Sequence, residues 1–277
     1  MTVGQAPTIS IVMAVFGEAG VLDASLDRLA AQTYRDVDLV VIDGGSTDGT
    51  RDLLERRSAS IGYWVSEPAR GIYHAWNKGL AAARGDWITF MGADDQYATP
   101  DSLAWVAEAL AGVDPGVSIA YGRLDLVAAD GRVLRHLGEP WPAIRAGFRQ
   151  SMTIPHPAAF YRASFFADNG GFDESFRIVG DYEIMLRSVF DRPPVFLDGP
   201  VIVRMTEGGI SDRPDSYVRR ANEFYRAAEM HGLTRSPRFL SPLVVRAQTD
   251  AAIRKVFGAR VADRFVRGYR AVVGRSR

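Results

Sequence analysis

Gly85-Asp86-Trp87-Ile88-Thr89-Phe90-Met91-Gly92-Ala93-Asp94-Asp95 is the stretch on which the reading of this chain turns. A turn glycine opens it, an apolar β-type run follows, and it stops at two adjacent carboxylates. The run is short and continuously apolar, which predicts a buried strand rather than a helix. Paired carboxylates at the end of a buried strand are costly unless something cationic meets them. In an open α/β sheet, the ends of strands are also where ligands bind. Asp94, together with Asp95, is therefore a candidate holder of a divalent cation against a phosphorylated ligand. The alternative is that one of the two caps a following helix.

Upstream, strand and helix patterns alternate. Thr8–Phe16 is a β-rich run broken by Gly17-Glu18-Ala19-Gly20, after which Val21, Leu22, Leu26, Leu29 and Ala30 recur at helical spacing. Val37–Asp43 predicts a second strand, ended by the turn Gly44–Thr50, with Ser46 or Asp48 as a cap for the helix carrying Leu53 and Leu54. Ile61–Val65 predicts a third strand, and Ile72, Trp76, Leu80 and Ala83 mark another helical face. Strand, helix, strand, helix, strand, helix, strand is the pattern of a largely parallel sheet covered on both faces.

Downstream the alternation loosens. Leu103, Val106, Ala107 and Leu110 suggest a helix, and Val117–Asp125 pairs with Val127–Leu134 around Ala129-Asp130-Gly131. A short strand, Ala158–Tyr161, follows the prolines Pro155 and Pro157. Tyr182, Met185, Leu186, Val189 and Phe190 define a helix face with Asp181 in its first turn. Val195–Leu197 and Val201–Arg204 read as two late strands, and Gly208–Asp212 as a loop. The expected organisation is an α/β domain over residues 1–212 and a helical C-terminal extension over residues 213–277.

Composition bounds the function. The 277 residues are 47% hydrophobic and 24% charged, as in an ordinary soluble globular protein. Lys+Arg 33 balances Asp+Glu 33, so net charge offers no argument for nucleic acid as a partner. The absence of cysteine excludes disulfides, thiolate metal sites and cysteine nucleophiles. No signal-peptide pattern and no apolar run near the ~20 residues of a membrane span is evident, so a cytoplasmic location is expected.

Six segments in order resemble the inverting family-2 glycosyltransferases of GT-A fold, of the type that builds bacterial exopolysaccharide, capsule or O-antigen. They are Ile11–Glu18, Val41–Thr50, Glu67-Pro68 with Gly71-Ile72-Tyr73 and Asn77-Lys78-Gly79, Gly85–Asp95, Gly170–Ser175, and Gly180–Arg187. The resemblance implies a Rossmann-like mixed sheet with helices on both faces. It also implies a hexosyltransferase that uses a UDP- or GDP-sugar donor and a glycan or lipid-linked acceptor, with Mg²⁺ or Mn²⁺ assisting. It places Val15, Phe16, Glu18, Asp43, Gly71, Asn77 and Ala93 on the nucleotide side, Asp94 on the metal, and Asp181 as the catalytic base. Asp95 and His156 fall on the acceptor side. Two departures stand out: Gly92 occupies the first acidic position of the family's metal motif, and Ala69 stands where many relatives carry an acid. A sugar-phosphate nucleotidyltransferase and a catalytically silent nucleotide-sugar-binding protein are the rival readings. The first would favour a basic Gly-rich loop after strand one, which Val15-Phe16-Gly17-Glu18 lacks.

Near the C-terminus, Val261, Phe265, Val266, Tyr269, Val272 and Val273 share one side of a helix projected at ~100° per residue. Arg260, Arg264, Arg267, Arg270 and Arg275 fall on the other. This face fits peripheral contact with an anionic membrane at its inner side, a terminal helix packed on the domain, or dimerisation.

Overall fold

The computed structural model describes residues 6–209 and 216–234, with Thr249 as an isolated helical residue. The chain divides between Glu207 and Gly208 into two compact units.

The first unit opens with the expected alternation: β1 (Ile9–Val15), α1 (Ala19–Ala30), β2 (Val37–Asp43), α2 (Thr50–Arg57), β3 (Tyr63–Ser66), α3 (Ile72–Ala82) and β4 (Trp87–Met91). These strands are parallel in the order β3-β2-β1-β4. All of β4 and nearly all of β1 are buried, which is why their sequences are continuously apolar. The buried Ser10 on β1 is matched: its hydroxyl donates to Asp38 Oδ2 at 2.9 Å and accepts from Arg84 and Gly85 backbone N–H groups. Helix α3 lies hard against the sheet. A Cβ at Gly79 would stand 2.3 Å from Val12 Cγ1, so only glycine permits that approach.

Past β4 the sheet turns mixed. It continues through β8 (Ala159–Arg162), β6 (Ile119–Val127), β9 (Val195–Thr206) and β5 (Gln96–Tyr97), with β7 (Val133–Leu137) on the side of β6. β8 is antiparallel to β4 and to β6, whereas β9 runs parallel to β6. Helices α4 (Ser102–Ala111), α5 (Trp141–Phe148), α6 (Ala163–Asn169) and α7 (Gly180–Leu186) complete the unit. The α/β class with a mixed sheet is thus as the sequence implied.

Three local expectations are corrected. The hairpin turn occupies Ala128–Arg132, so the first strand extends to Val127 and the second begins at Val133. The two late strands are one: β9 runs through Asp198-Gly199-Pro200 by a register shift opposite Arg123. Arg123 holds that irregularity, donating to Asp198 Oδ1 at 2.7 Å and to the Gly199 carbonyl. Helix α7 stops at Leu186, short of Val189 and Phe190, and Pro193-Pro194 follow soon after.

In the second unit, α8 (Tyr217–Met230) buries Tyr217, Ala221, Phe224, Ala227 and Ala228 at helical spacing. The arginine-faced segment from Arg260 onward lies outside the described residues. Among those described, no helix is long and apolar enough to cross a membrane.

Candidate active site

Register brings the C-terminal ends of the parallel strands to one edge, pairing Val15 with Asp43 and Asp43 with Ser66. Asp43 is fully buried. The Ser46 hydroxyl donates to its Oδ1, and Oδ2 accepts from the Ser66 hydroxyl at 2.6 Å and the Ser46 backbone N–H at 3.1 Å. A buried carboxylate requires such donors, and here they come from its own turn and the neighbouring strand. The β1–α1 loop is stitched to the same turn. Backbone N–H groups of Gly17, Glu18 and Ala19 donate to Ser46 Oγ, Thr50 Oγ1 and Asp48 Oδ2 at 2.8, 3.1 and 3.1 Å. Phe16 projects from this edge at 70% exposure, against Gly44, while Val15 and Ala93 are buried. An aromatic left in water beside a built loop is a stacking surface.

After β4 the chain turns over Gly92–Asp95 and enters β5, not a helix, which removes the capping alternative for Asp94 and Asp95. The two carboxylates part company. Asp95 is 6% exposed and its Oδ2 accepts the Gly92 N–H at 2.9 Å. Burial pushes its carboxyl up to about 7, opposed by the Gly92 N–H and reinforced by the charge of Asp94. Asp94 is exposed, and no hydrogen bond or ion pair with another described residue engages it. Its Oδ1 lies over Gly92, 2.8 Å from where a Cβ would stand, so a larger residue at 92 would have to displace that carboxylate. Burial raises the pKa of Glu18, with the charges of Asp94 and then Asp48 adding to it. Negative charge therefore accumulates around Asp94, as a cation site requires. No group of three or more His, Asp or Glu side chains among the described residues could hold an ion alone. The residues fit an ion that takes one direct protein ligand, Asp94, and fills its remaining positions with phosphate oxygens and water.

Asp181 is the second residue of α7, whose N-cap position belongs to Val179. Tyr182, Ile184 and Met185 are fully buried and anchor the helix. Its base is braced by Glu183, 1% exposed, which takes Arg187 in two bonds of 3.0 and 2.6 Å. Arg187 in turn donates to the carbonyls of Asn169 and Gly171 at 2.7 and 2.8 Å. The Asp181 side chain is half-buried, and its charge contributes, after burial, to raising the pKa of Tyr161 on β8.

Asn77, expected to serve the nucleotide, uses its amide on the Gly171–Glu174 loop. It donates to the Phe172 carbonyl at 2.9 Å and Glu174 Oε1 at 3.2 Å, and accepts the Phe172 N–H at 2.8 Å. Gly71 has φ 132° and leads into α3, with the Arg177 guanidinium 2.7 Å from a hypothetical Cβ. His156 and Asp95, assigned to the acceptor side, are both 6% exposed, so neither side chain presents itself to an acceptor in this conformation. His156 stacks on Trp76 and Phe90 at 5.0 and 5.8 Å, and burial lowers its pKa to about 3. Sequence reasoning gave no role to Ser66, Tyr73 or the Glu183–Arg187 pair. Tyr73 and the Glu183–Arg187 pair did carry a signal, standing in two of the segments already singled out, whereas Ser66 stood in none.

Comparison with known proteins places these features in a family. Residues 10–170 match the family described as Glycosyl transferase family 2. The chain is 33% identical over 229 residues to the uncharacterized glycosyltransferase Rv1514c of Mycobacterium tuberculosis, covering 80% of this chain and 86% of that one. It is also 33% identical over 185 residues to the PGL/p-HBAD biosynthesis glycosyltransferase Rv2957 of M. tuberculosis, covering 66% and 70%. Among solved structures it resembles the mannosyltransferase PcManGT from Pyrobaculum calidifontis in complex with GDP-Man and Mn²⁺, with a TM-score of 0.61 at 19% identity, covering 97% and 81%. With the matched segment spanning the strands and turns that carry Asp43 and Asp94, the chain belongs to glycosyl transferase family 2 and is a glycosyltransferase.

Proposed function

We propose that this glycosyltransferase moves a sugar from a UDP- or GDP-sugar to a hydroxyl of a glycan or lipid-linked acceptor, with inversion, in cell-surface polysaccharide synthesis. The observation that carries the reading is the division of labour between two carboxylates. Asp94 is exposed at the end of a buried strand and is engaged by no other described residue, and Asp181 is held in the first turn of a buried helix. The relative named for PGL/p-HBAD biosynthesis supports a role in glycan synthesis, and the neighbour solved in complex with GDP-Man and Mn²⁺ supports a nucleotide-sugar donor.

On this reading the nucleotide lies along the edge formed by Phe16, Glu18 and the Asp43 turn. Phe16 offers a face for stacking, and Asp43 accepts a base N–H once a serine hydroxyl rotates away from it. Asp94 would hold Mg²⁺ or Mn²⁺, which would supply neutralisation of charge on the diphosphate leaving group. Asp181 takes the proton of the acceptor hydroxyl. The freed oxygen attacks the anomeric carbon from the face opposite the diphosphate, and the departing oxygen keeps the electron pair of the broken C–O bond. No covalent enzyme intermediate forms, so the lack of a cysteine nucleophile is immaterial. Residues 1–212 carry the chemistry.

The test screens UDP- and GDP-sugars with Mn²⁺ for thermal stabilisation and nucleoside diphosphate release, in the parent and in Asp181→Asn. Loss of a general base lowers turnover ~10²–10⁴-fold with nucleotide affinity nearly unchanged. Turnover within about threefold of the parent would contradict general-base catalysis by Asp181.

A further inference from the structure

We propose that Tyr73 is a positioning residue for the Asp181 carboxylate, and that residue 180 is glycine so that the Tyr73 ring can lie against the backbone beside it. The proposal rests on the reading of Asp181 as general base.

Tyr73 is 3% exposed and is the second residue of α3. Its hydroxyl donates to Asp181 Oδ1 at 3.4 Å and accepts the Asp181 backbone N–H at 3.3 Å. The same Oδ1 accepts the Tyr182 N–H at 2.9 Å. Two donors on one oxygen set the rotation of the carboxylate and favour its ionised form. Two other aromatics hold the ring in place. Phe172 stacks on it at 5.6 Å with an interplanar angle of 24°, and Trp76 meets it edge-on at 5.5 Å. A Cβ on residue 180 would lie 2.8 Å from both Cε2 and Cζ of the ring, too close for either to stay. Gly180 therefore admits the ring, and the ring brings its hydroxyl to the carboxylate.

A base must be both ionised and aimed, and a small misplacement of a reacting group is expensive in rate. An ordinary core tyrosine that merely finds a partner for its hydroxyl would affect stability without tuning Asp181. Tyr73→Phe separates the two, because phenylalanine keeps the packing and removes only the hydroxyl. Three measurements apply: calorimetric binding of UDP and GDP with Mn²⁺, nucleoside diphosphate release from UDP-glucose, UDP-N-acetylglucosamine and GDP-mannose, and ¹³C NMR titration of the Asp181 carboxyl. The NMR signal is assigned by its absence from Asp181→Asn. Nucleotide affinity should stay within about twofold, turnover should fall about tenfold, and the carboxyl titration should move upward. Gly180→Ala, which keeps the hydroxyl but pushes the ring aside, should reproduce the titration shift. An unmoved Asp181 titration in folded Tyr73→Phe overturns the proposal whether or not any donor turns over. If Asp181→Asn keeps its turnover while Tyr73→Phe moves the titration, the positioning contact stands and the base assignment fails.

Discussion

His156 makes a stability prediction whose size follows from its surroundings. It is packed among Trp76, Phe90, Tyr161 and Phe172, and its buried Nε2 has no hydrogen-bond partner among the described residues. Burial without a partner disfavours the charged imidazolium and lowers the pKa to about 3. An unfolded histidine titrates near 6.5. The folded pKa lies below the unfolded one, so this contribution is intact above pH 6.5 and is lost as pH falls toward 3. At pH 5 the unfolded chain has taken up nearly a full proton at this site and the folded chain almost none, a difference of about 2 kcal/mol. His156→Phe keeps an aromatic ring in the cluster and removes the titration. Urea unfolding of both proteins at pH 7.5 and pH 5.0 isolates the effect. The parent should lose about 2 kcal/mol more than the variant over that interval. Asp95 works in the opposite sense, since its pKa of about 7 is raised and its penalty lifts on acidification, but it is common to both proteins and cancels. Losses that agree within about 0.5 kcal/mol, the scale of independent-site additivity, would refute the reasoning.

Three further outcomes are expected. Asp94→Asn should keep the fold and weaken binding of the donor nucleotide in Mn²⁺, and EDTA should do the same to the parent; equal donor affinity and turnover with and without chelator would remove the metal from the account. Asn77→Ala deletes three hydrogen bonds to the Gly171–Glu174 loop and should cost about 2–3 kcal/mol, with faster hydrogen exchange at the Phe172 amide as the local readout. Glu183→Ala leaves the Arg187 guanidinium, itself largely buried, without its carboxylate and should destabilise by about 3 kcal/mol in urea unfolding, whereas a loss below about 1 kcal/mol would mean the carbonyls of Asn169 and Gly171 suffice.

The parallel half of the sheet was legible because strands buried on both faces leave an unbroken apolar run, as β1 and β4 do. The mixed half was not, for a local reason. β9 carries Asp198-Gly199-Pro200 in its middle, which reads as a break, yet pairing with β6 resumes beyond it and Arg123 on that strand bonds to Asp198 and Gly199. Site residues divide in the same way. Asp94 is found from its position at the end of a buried run. What surrounds Asp43 depends on Ser66, 23 residues away and brought there by strand register. Asn77 looks like any polar helix residue until its partner, 95 residues distant, is in view. His156 sits between prolines, which suggests a surface turn, yet the ring is enclosed by aromatics from α3, β4 and the Phe172 loop.

These distant partners converge on α3. At its C-terminal end Gly79 seats the helix on Val12 and Ile42 of the parallel strands. At its N-terminal end Gly71 faces Arg177, which donates to the Arg70 carbonyl, while Arg70 pairs with Glu174 at 3.0 Å. Between them, Tyr73 reaches Asp181 and Asn77 holds the loop that precedes it. The strand edge proposed to take the donor and the helix proposed to carry the base come from segments far apart in the chain, around Asp43 and Asp181, and one helix of 11 residues touches both. Rigid elements hold reacting groups better than loops do, and Asp181 follows a loop. Its precision therefore also draws on neighbours, and α3 supplies such contacts through Tyr73 and Asn77. A change that shifted α3 on the sheet, even at buried Gly79, would be felt at Asp181 before it was felt at Asp94, whose turn is carried by β4.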